Sequence, residues 1–365
     1  MKIAVEARYL LAREKTGVEH YTASLLNALT TNGGAHEFIL VVDHAPDDGA
    51  PIWTRPNVEV RILAPRRIWL KHHFGRVTRD ADIALFPGSI VPWTRPWKCV
   101  PIVYDLAWYD FPQFYPQREL RIYRKVYPWG LARADLIVAI SEHTRRDLQR
   151  VYGVASERVV IVPPGVDRAF SPPADAGAQV KARWGLQPGY VLAVGIDRPR
   201  KNPDGLLRAY AAAVQQGLDA PLVIAGAVTH LGGRLKRLEH ELGLGGRTVW
   251  LGYVEQAALP ALYAAAGVFV LPSWYEGFGM PVLEAMACGC PVVCANTAAL
   301  PEAAGDAAAL VNPADSDTIA AALLMVLRDG DRRAALRAAG FEQVRRFDWG
   351  RSAQTLLAAL ESLAR

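Results

Sequence analysis

Short apolar runs alternate with longer stretches of helical period along the first half of the chain. Ile3–Glu6, Phe38–Val42, Val58–Leu63, Ile83–Phe86, Val100–Tyr104, Leu136–Ile140 and Val159–Val162 read as strands, with a helix from about His20 to Leu29. After the Pro- and Ala-rich stretch Ser171–Gly177 the series restarts. Tyr190–Val194, Leu222–Ala225, Val249–Leu251, Val268–Leu271, Pro291–Cys294 and Ala309–Leu310 read as strands, and Pro203–Gln216 and Leu231–Leu242 as helices. Alternation of this kind predicts parallel sheets covered by helices on both faces.

A chain of 365 residues is longer than one hydrophobic core usually grows. The pattern therefore predicts two doubly wound Rossmann-like domains, 1–170 and 171–346, joined near Arg168–Gln187 and facing across a cleft. Residues 347–365 form a Leu/Ala-faced helix that can pack back on the first. In open α/β sheets ligands bind at the carboxyl ends of the strands, so the cleft is the expected site.

Composition narrows the classes. Half the residues are hydrophobic, yet no window approaches the roughly 18 uninterrupted apolar residues of a membrane span. The amino terminus runs straight into a strand pattern without signal-peptide regions, which places the protein in the cytoplasm. Cys99, Cys288, Cys290 and Cys294 have neither disulfide-scaffold nor zinc spacing and read as small core side chains. Up to Phe170 there are 23 Lys and Arg against 18 Asp and Glu, and afterwards 18 against 18, so the net charge of +5 lies wholly in the first half. Two stretches there, Arg66–Arg79 and Gln117–Arg133, mix cations with aromatic or aliphatic residues and can lie against an anionic membrane at its inner face, or be solvated helix faces. No nucleic-acid motif accompanies the charge.

Chemistry concentrates in the segment PSWYEGFGMPVLEAMACGCPVV, Pro272–Val293. A strand ends at Leu271, a glycine-bearing turn follows, and Pro281 stands at the start of a small apolar helix, where its missing N–H costs nothing. The helix amides and positive dipole end make an anion site, with Gly279 allowing close approach. Glu276 precedes the helix and Glu284 lies one turn inside it. Ionised carboxylates accept hydrogen bonds from hydroxyls such as those of sugar and ribose, so the pair can bracket a diphosphate-bearing ligand, or be one solvated and one capping glutamate.

A second stretch, VLAVGIDRPRKNPDGLLRAY, puts Arg198, Arg200 and Lys201 after a strand, where cations can neutralise a departing diphosphate. A third, EKTGVEHYTASLLNAL, puts Gly17 in the loop between first strand and first helix, where the helix amides can meet phosphate across the cleft. It is neither a dinucleotide fingerprint nor a Walker loop.

Together these stretches resemble the large retaining glycosyltransferase family four, of two-domain GT-B architecture. The most specific element is E-x7-E, Glu276 to Glu284. RKN at Arg200–Asn202, GYVEQAALPALYAAA from Gly252, VAISEHTRRDL from Val138 and VPPGVD from Val162 support it. The resemblance implies that Glu276 contacts donor-sugar hydroxyls, Glu284 holds the ribose, and Arg200 and Lys201 carry the diphosphate, with Gly17 and the Phe278, Gly279 and Met280 amides nearby. Tyr253 and Val254 would lie against the base. Where the family often has His-Asp this chain has Tyr104-Asp105, and a phenol is a far poorer base near neutral pH than imidazole. The implied reaction moves a hexose, with mannose favoured, from a GDP- or UDP-sugar to a hydroxyl of a glycan or lipid-linked acceptor with retention, and needs no metal. A sugar-nucleotide epimerase of the same architecture and a non-catalytic sugar-nucleotide sensor are the alternatives.

Overall fold

A computed structural model describes residues 1–12, 16–46, 49–63, 73–89, 91–92, 95–227 and 231–365. The chain divides into two units, Met1–Gly165 with Phe347–Arg365, and Val166–Arg346.

The first unit is built on a parallel sheet of β1 (Lys2–Glu6), β2 (Glu37–Val42), β3 (Val58–Ile62), β4 (Ile83–Phe86), β5 (Lys98–Val103), β6 (Ile137–Ala139) and β7 (Val159–Ile161), in the order β3-β2-β1-β4-β5-β6-β7. Ile3 lies opposite Phe38 on one side and Ile83 on the other. Residues 3–5 of β1 and all of β4 are fully buried, as expected for strands with both faces covered. Between β1 and β2 runs the helix Gly17–Asn32, which buries Tyr21, Thr22, Leu25, Leu26, Leu29 and Thr30 at helical spacing. It starts three residues before the expected His20 because Thr16 and Glu19 form a reciprocal capping box, in which the Thr16 amide donates to Glu19 Oε2 at 3.0 Å.

The last helix, Trp349–Ala364, belongs to this unit. Asp348 caps it by accepting from the Arg351 amide at 2.9 Å, and Ser352 Oγ donates to the Pro163 carbonyl at 2.6 Å. Tyr21 packs edge-on to Trp349 at 5.4 Å, and Leu356 and Leu360 are fully buried. Gly165 leaves the room: a Cβ there would collide with the Trp349 amide.

The second unit holds β8 (Val191–Val194), β9 (Leu222–Ala225), β10 (Thr248–Gly252), β11 (Val268–Leu271), β12 (Val292–Ala295) and β13 (Ala308–Val311), all parallel, in the order β10-β9-β8-β11-β12-β13. The helices Pro203–Gln215 and Ser316–Arg328 bury Leu206, Leu207, Tyr210, Ile319 and Leu323 in one core cluster with Val191, Val268 and Val270. The stretch expected as a connector, Arg168–Gln187, carries a helix of this unit, Ala176–Trp184, which ends at left-handed Gly185. All four cysteines are free and buried. Among the described residues no helix is long and apolar enough to cross a membrane.

Candidate active site

Each sheet reverses its strand order once, and the second does so between β8 and β11. At such a point the connections leave in opposite directions, and a crevice opens beyond the carboxyl ends of the two strands. The residues that follow these two strands are the RKN segment and the loop leading to Glu276.

After β8 the chain makes a single 3-10 turn, Pro199–Lys201, and reaches Asn202 in the left-handed region at φ 57°. Asn tolerates that conformation, and here its side chain uses it. Asn202 Oδ1 accepts from the Gly205 amide at 3.2 Å to start the Pro203–Gln215 helix, and its Nδ2 donates to the Pro313 carbonyl at 2.8 Å. After β11, Ser273 is buried, and the Trp274 amide donates to the Arg200 carbonyl at 2.8 Å, stitching the two loops together.

The side chains converge on one carboxylate. Arg200 Nη1 lies 2.9 Å from Glu276 Oε2 and donates to the Tyr275 carbonyl at 3.0 Å. Lys201 Nζ lies 2.9 Å from Oε1 of the same carboxylate, and Ser273 Oγ donates to that oxygen at 2.8 Å. The Glu276 side chain is 8% exposed. Burial alone would raise its pKa, but the charges of Lys201 and Arg200, with the Lys201 and Ser273 hydrogen bonds, outweigh it and hold the carboxyl at about 2. It is ionised across the physiological range, and the three charged groups sum to a net +1.

Glu284 stands in a different environment. It lies in the helix Met280–Ala287, half-buried, with Oε2 accepting from the Tyr263 hydroxyl at 3.0 Å. Burial pushes its pKa up to about 7; the Tyr263 hydrogen bond opposes this, Asp167 adds to it, and Lys201 opposes it weakly. Two glutamates eight positions apart thus titrate far from each other, the usual sign of two different tasks.

Gly279 caps the start of this helix at φ 108°, a conformation L side chains rarely adopt. A Cβ there would also stand 2.6 Å from Leu300 Cδ2, so the glycine is fixed by backbone and packing together. Phe278 is buried and Met280 partly so. Tyr253 and Val254 follow β10 at the same carboxyl edge of the sheet; Tyr253 is 58% exposed while Val254 is buried. An exposed tyrosine there is free to stack on a ligand, whereas Val254 can offer little beyond its backbone.

In the first unit Tyr104 follows β5. Its hydroxyl lies 3.0 Å from Thr22 Oγ1, its ring meets Tyr21 edge-on at 5.3 Å, and its carbonyl accepts from Thr144 Oγ1 at 3.1 Å. Burial drives its pKa well above the usual value, so it serves as a hydrogen-bonding hydroxyl and not as a base. Asp105 Oδ1 accepts from the Ala107 amide at 3.1 Å. Gly17, expected in a loop, is the first residue of its helix and exposed, because the capping box draws the helix start back to it. Of the basic stretch Arg66–Arg79, residues 66–72 lie outside the described residues.

Ser273 and Tyr263 were not singled out from sequence. Ser273 stands three residues before Glu276, a spacing that places a hydroxyl within reach of a carboxylate. Tyr263 comes from a helix that only the fold brings beside Glu284.

Two family models cover most of the chain: Glycosyltransferase Family 4 over residues 15–170 and Glycosyl transferases group 1 over residues 179–343. O-antigen chain mannosyltransferase B of Escherichia coli is 35% identical over 298 residues, which are 79% of this chain and 75% of that protein. The serotype-specific mannosyltransferase WbdA of Escherichia coli is 32% identical over 310 residues, 81% of this chain and 37% of that one. Sucrose-phosphate synthase from Thermosynechococcus elongatus superposes with a TM-score of 0.77 at 22% identity, covering 100% of this chain and 99% of its own. Anabaena HepE in complex with UDP and glucose does so with a TM-score of 0.78 at 19% identity, covering 99% and 100%. The likeness to these two structures is one of fold. With a relative 35% identical along most of both chains, and with two Rossmann-like units of the GT-B fold, this protein belongs to glycosyltransferase family 4.

Proposed function

We propose that this glycosyltransferase moves a hexose, mannose first, from a nucleoside-diphosphate sugar to a hydroxyl of a glycan or lipid-linked acceptor, with retention at the anomeric carbon. The mannosyl choice is supported by the names of the two relatives, one of which acts on an O-antigen chain by its name. The nucleotide donor is supported by a fold neighbour that binds UDP and glucose. Polysaccharide building at the cytoplasmic face of a membrane is the setting this reading implies.

The observation that carries the reading is the Arg200–Glu276–Lys201 cluster at the β8/β11 switch point. A carboxylate offers about four lone-pair sites. Arg200, Lys201 and Ser273 occupy three, which leaves one on Oε2 for a hydroxyl of the donor sugar. A carboxylate so engaged and held near pKa 2 is a poor nucleophile and a poor base, so Glu276 orients rather than attacks. In the proposed step the acceptor oxygen bonds to the anomeric carbon as the bond from that carbon to the diphosphate oxygen breaks on the same face. The acceptor's proton passes to the leaving phosphate oxygen. Arg200 and Lys201 stabilise the charge that develops there, the contribution usually largest in such sites. Glu284 accepts from the ribose, Tyr253 stacks on the base, and the Met280–Ala287 helix start faces phosphate.

The test is nucleotide release and product analysis with GDP-mannose, UDP-glucose and ADP-glucose in parallel, over mannose-containing acceptors. An α-mannoside made from GDP-mannose supports the reading. Inversion at the anomeric carbon overturns retention, and turnover of only another donor overturns the mannosyl choice.

A further inference from the structure

At the carboxyl edge of the second sheet, β12 leads into the segment NTAALPE, residues 296–302, and a short helix, Leu300–Ala304. Ala298 stands there at φ 51°. Among the described residues two other non-glycines have positive φ, Ser89 and Asn202, and each has a polar side chain that bonds locally, Ser89 Oγ to the Ile102 carbonyl and Asn202 as above. Alanine has no such group. A backbone held in this region persists where its surroundings over-determine it, and the surroundings here are three contacts to one neighbouring turn.

Thr297 Oγ1 donates to the Ser273 carbonyl at 3.0 Å. The Ala299 amide donates to the Glu276 carbonyl at 3.3 Å. Leu300 lies so close to Gly279 that a Cβ on the glycine would stand 2.6 Å from Leu300 Cδ2. The three contacts fall on the turn that carries Glu276. That turn follows β11, whose neighbours are β8 and β12. Arg200 and Lys201 hold it from the loop after β8, and Thr297 and Ala299 from the loop after β12.

A threonine just before a helix usually turns its hydroxyl to the helix's own free amides. Here the helix starts at Ala299 with no side-chain cap, and the Leu300 amide donates to the Thr297 backbone carbonyl at 3.1 Å. The hydroxyl is spent on the neighbouring turn instead. Its acceptor, Ser273, is fully buried, and the Ser273 hydroxyl donates in turn to Glu276 Oε1 at 2.8 Å. A relay therefore runs from Thr297 through Ser273 to the carboxylate.

We propose that Thr297 is a positioning residue for Glu276: its hydroxyl, acting through Ser273, fixes the carboxylate where it meets the donor sugar. The inference rests on that sugar contact, as proposed above.

Calorimetry with GDP-mannose and with GDP separates this role from a general one in the fold, because GDP has no hexose and reports the rest of the donor site. Thr297→Val keeps the shape and removes the hydroxyl. It should weaken GDP-mannose about three- to tenfold, the effect of one lost hydrogen bond, and leave GDP within about twofold. Thr297→Ser, which keeps the hydroxyl, should restore the wild-type affinity. In a Glu276→Ala background Thr297→Val should change nothing further, since the group it positions is gone. Equal losses for GDP and GDP-mannose in Thr297→Val, or an effect that persists without Glu276, would assign Thr297 to the fold alone. Unchanged GDP-mannose affinity in Thr297→Val, with Glu276→Ala impaired, would end this inference and leave the donor reading standing. If wild type does not bind GDP-mannose, or Glu276→Ala binds it as wild type does, the sugar contact proposed for Glu276 falls and takes this inference with it.

Discussion

Lys201 holds its ammonium nitrogen 2.9 Å from Oε1 of Glu276, the carboxylate oxygen opposite the one that Arg200 reaches. The cations assigned to the leaving group are thus also what keeps a buried glutamate ionised.

Removing both cations therefore has a structural cost. Breaking a buried pair from one side leaves an uncompensated charge, on the order of 3–5 kcal/mol. The variant Arg200→Ala/Lys201→Ala should lose stability of that size in urea, and adding Glu276→Gln should return most of it. Turnover should be lost in both. An unchanged midpoint in the double variant would show that the cations do not hold the carboxylate.

Glu276 also sets an acid limit. Its folded pKa of about 2 lies below its usual 4.5, so the folded state stays ionised while the unfolded chain takes up a proton. The stabilisation is complete above about pH 4.5 and fades as pH falls towards 2, about 3 kcal/mol in all. Glu276→Gln should flatten that limb of the stability curve. If wild type and variant lose stability in parallel across it, the depressed pKa is not there.

Glu284 has the opposite sign. Its folded pKa of about 7 lies above its usual 4.5, so between those values the folded state binds a proton that the unfolded chain has released. Stability should fall as pH rises through that window, by up to about 1.4 kcal/mol per unit, and Glu284→Gln should remove the slope. If the ionised carboxylate is what accepts from ribose, GDP-mannose affinity should rise through the same window. Affinity that is flat from pH 5 to 8 would take Glu284 out of the donor contact.

Central strands such as Val268–Leu271 were legible because both faces are buried, so the run is apolar throughout and bounded by turn residues. The restart after Phe170 was legible for the same reason. Glu276, Glu284, Arg200 and Lys201 were findable by spacing within a segment. Their convergence was not, because it depends on β8 and β11 being neighbours, which no local pattern encodes. The start of the first helix at Gly17 is encoded by the polar pair Thr16-x-x-Glu19, a capping signal that apolar periodicity does not carry. That the last helix joins the first unit depends on Trp349 meeting Tyr21 and Gly165, residues more than a hundred positions away.

Fixed cations can do at a leaving diphosphate what a divalent ion does elsewhere. Transfer from GDP-mannose should survive EDTA, with kcat within about twofold, an effect of under 1 kcal/mol on the barrier. Loss of activity that returns with magnesium would show that Arg200 and Lys201 are not sufficient.

The proposed membrane contact has a specific candidate in the helix Gln117–Arg133. It buries Leu120, Gly130 and Leu131 inwards, with Tyr123 and Tyr127 against the core. Outwards, Arg118, Arg121, Ile122 and Lys125 follow one another at i, i+3, i+4 and i+7, with Arg124 beside them, all exposed. None of the four cations has a hydrogen-bonding or acidic partner among the described residues, and Ile122 is 45% exposed in their midst. Cations near an anionic leaflet are worth about 1 kcal/mol each, so four should strengthen attachment by roughly a thousandfold. The protein should sediment with vesicles one-third phosphatidylglycerol and not with pure phosphatidylcholine. Raising the salt towards 1 M, where the Debye length shrinks to about 3 Å, should release it. Arg118→Ser/Arg121→Ser/Lys125→Ser should abolish sedimentation while leaving transfer to a soluble acceptor intact. Equal binding to neutral vesicles, or a triple variant that sediments like wild type, would assign this stripe to solvent, and displacement by an oligonucleotide in place of lipid would assign it to another polyanion.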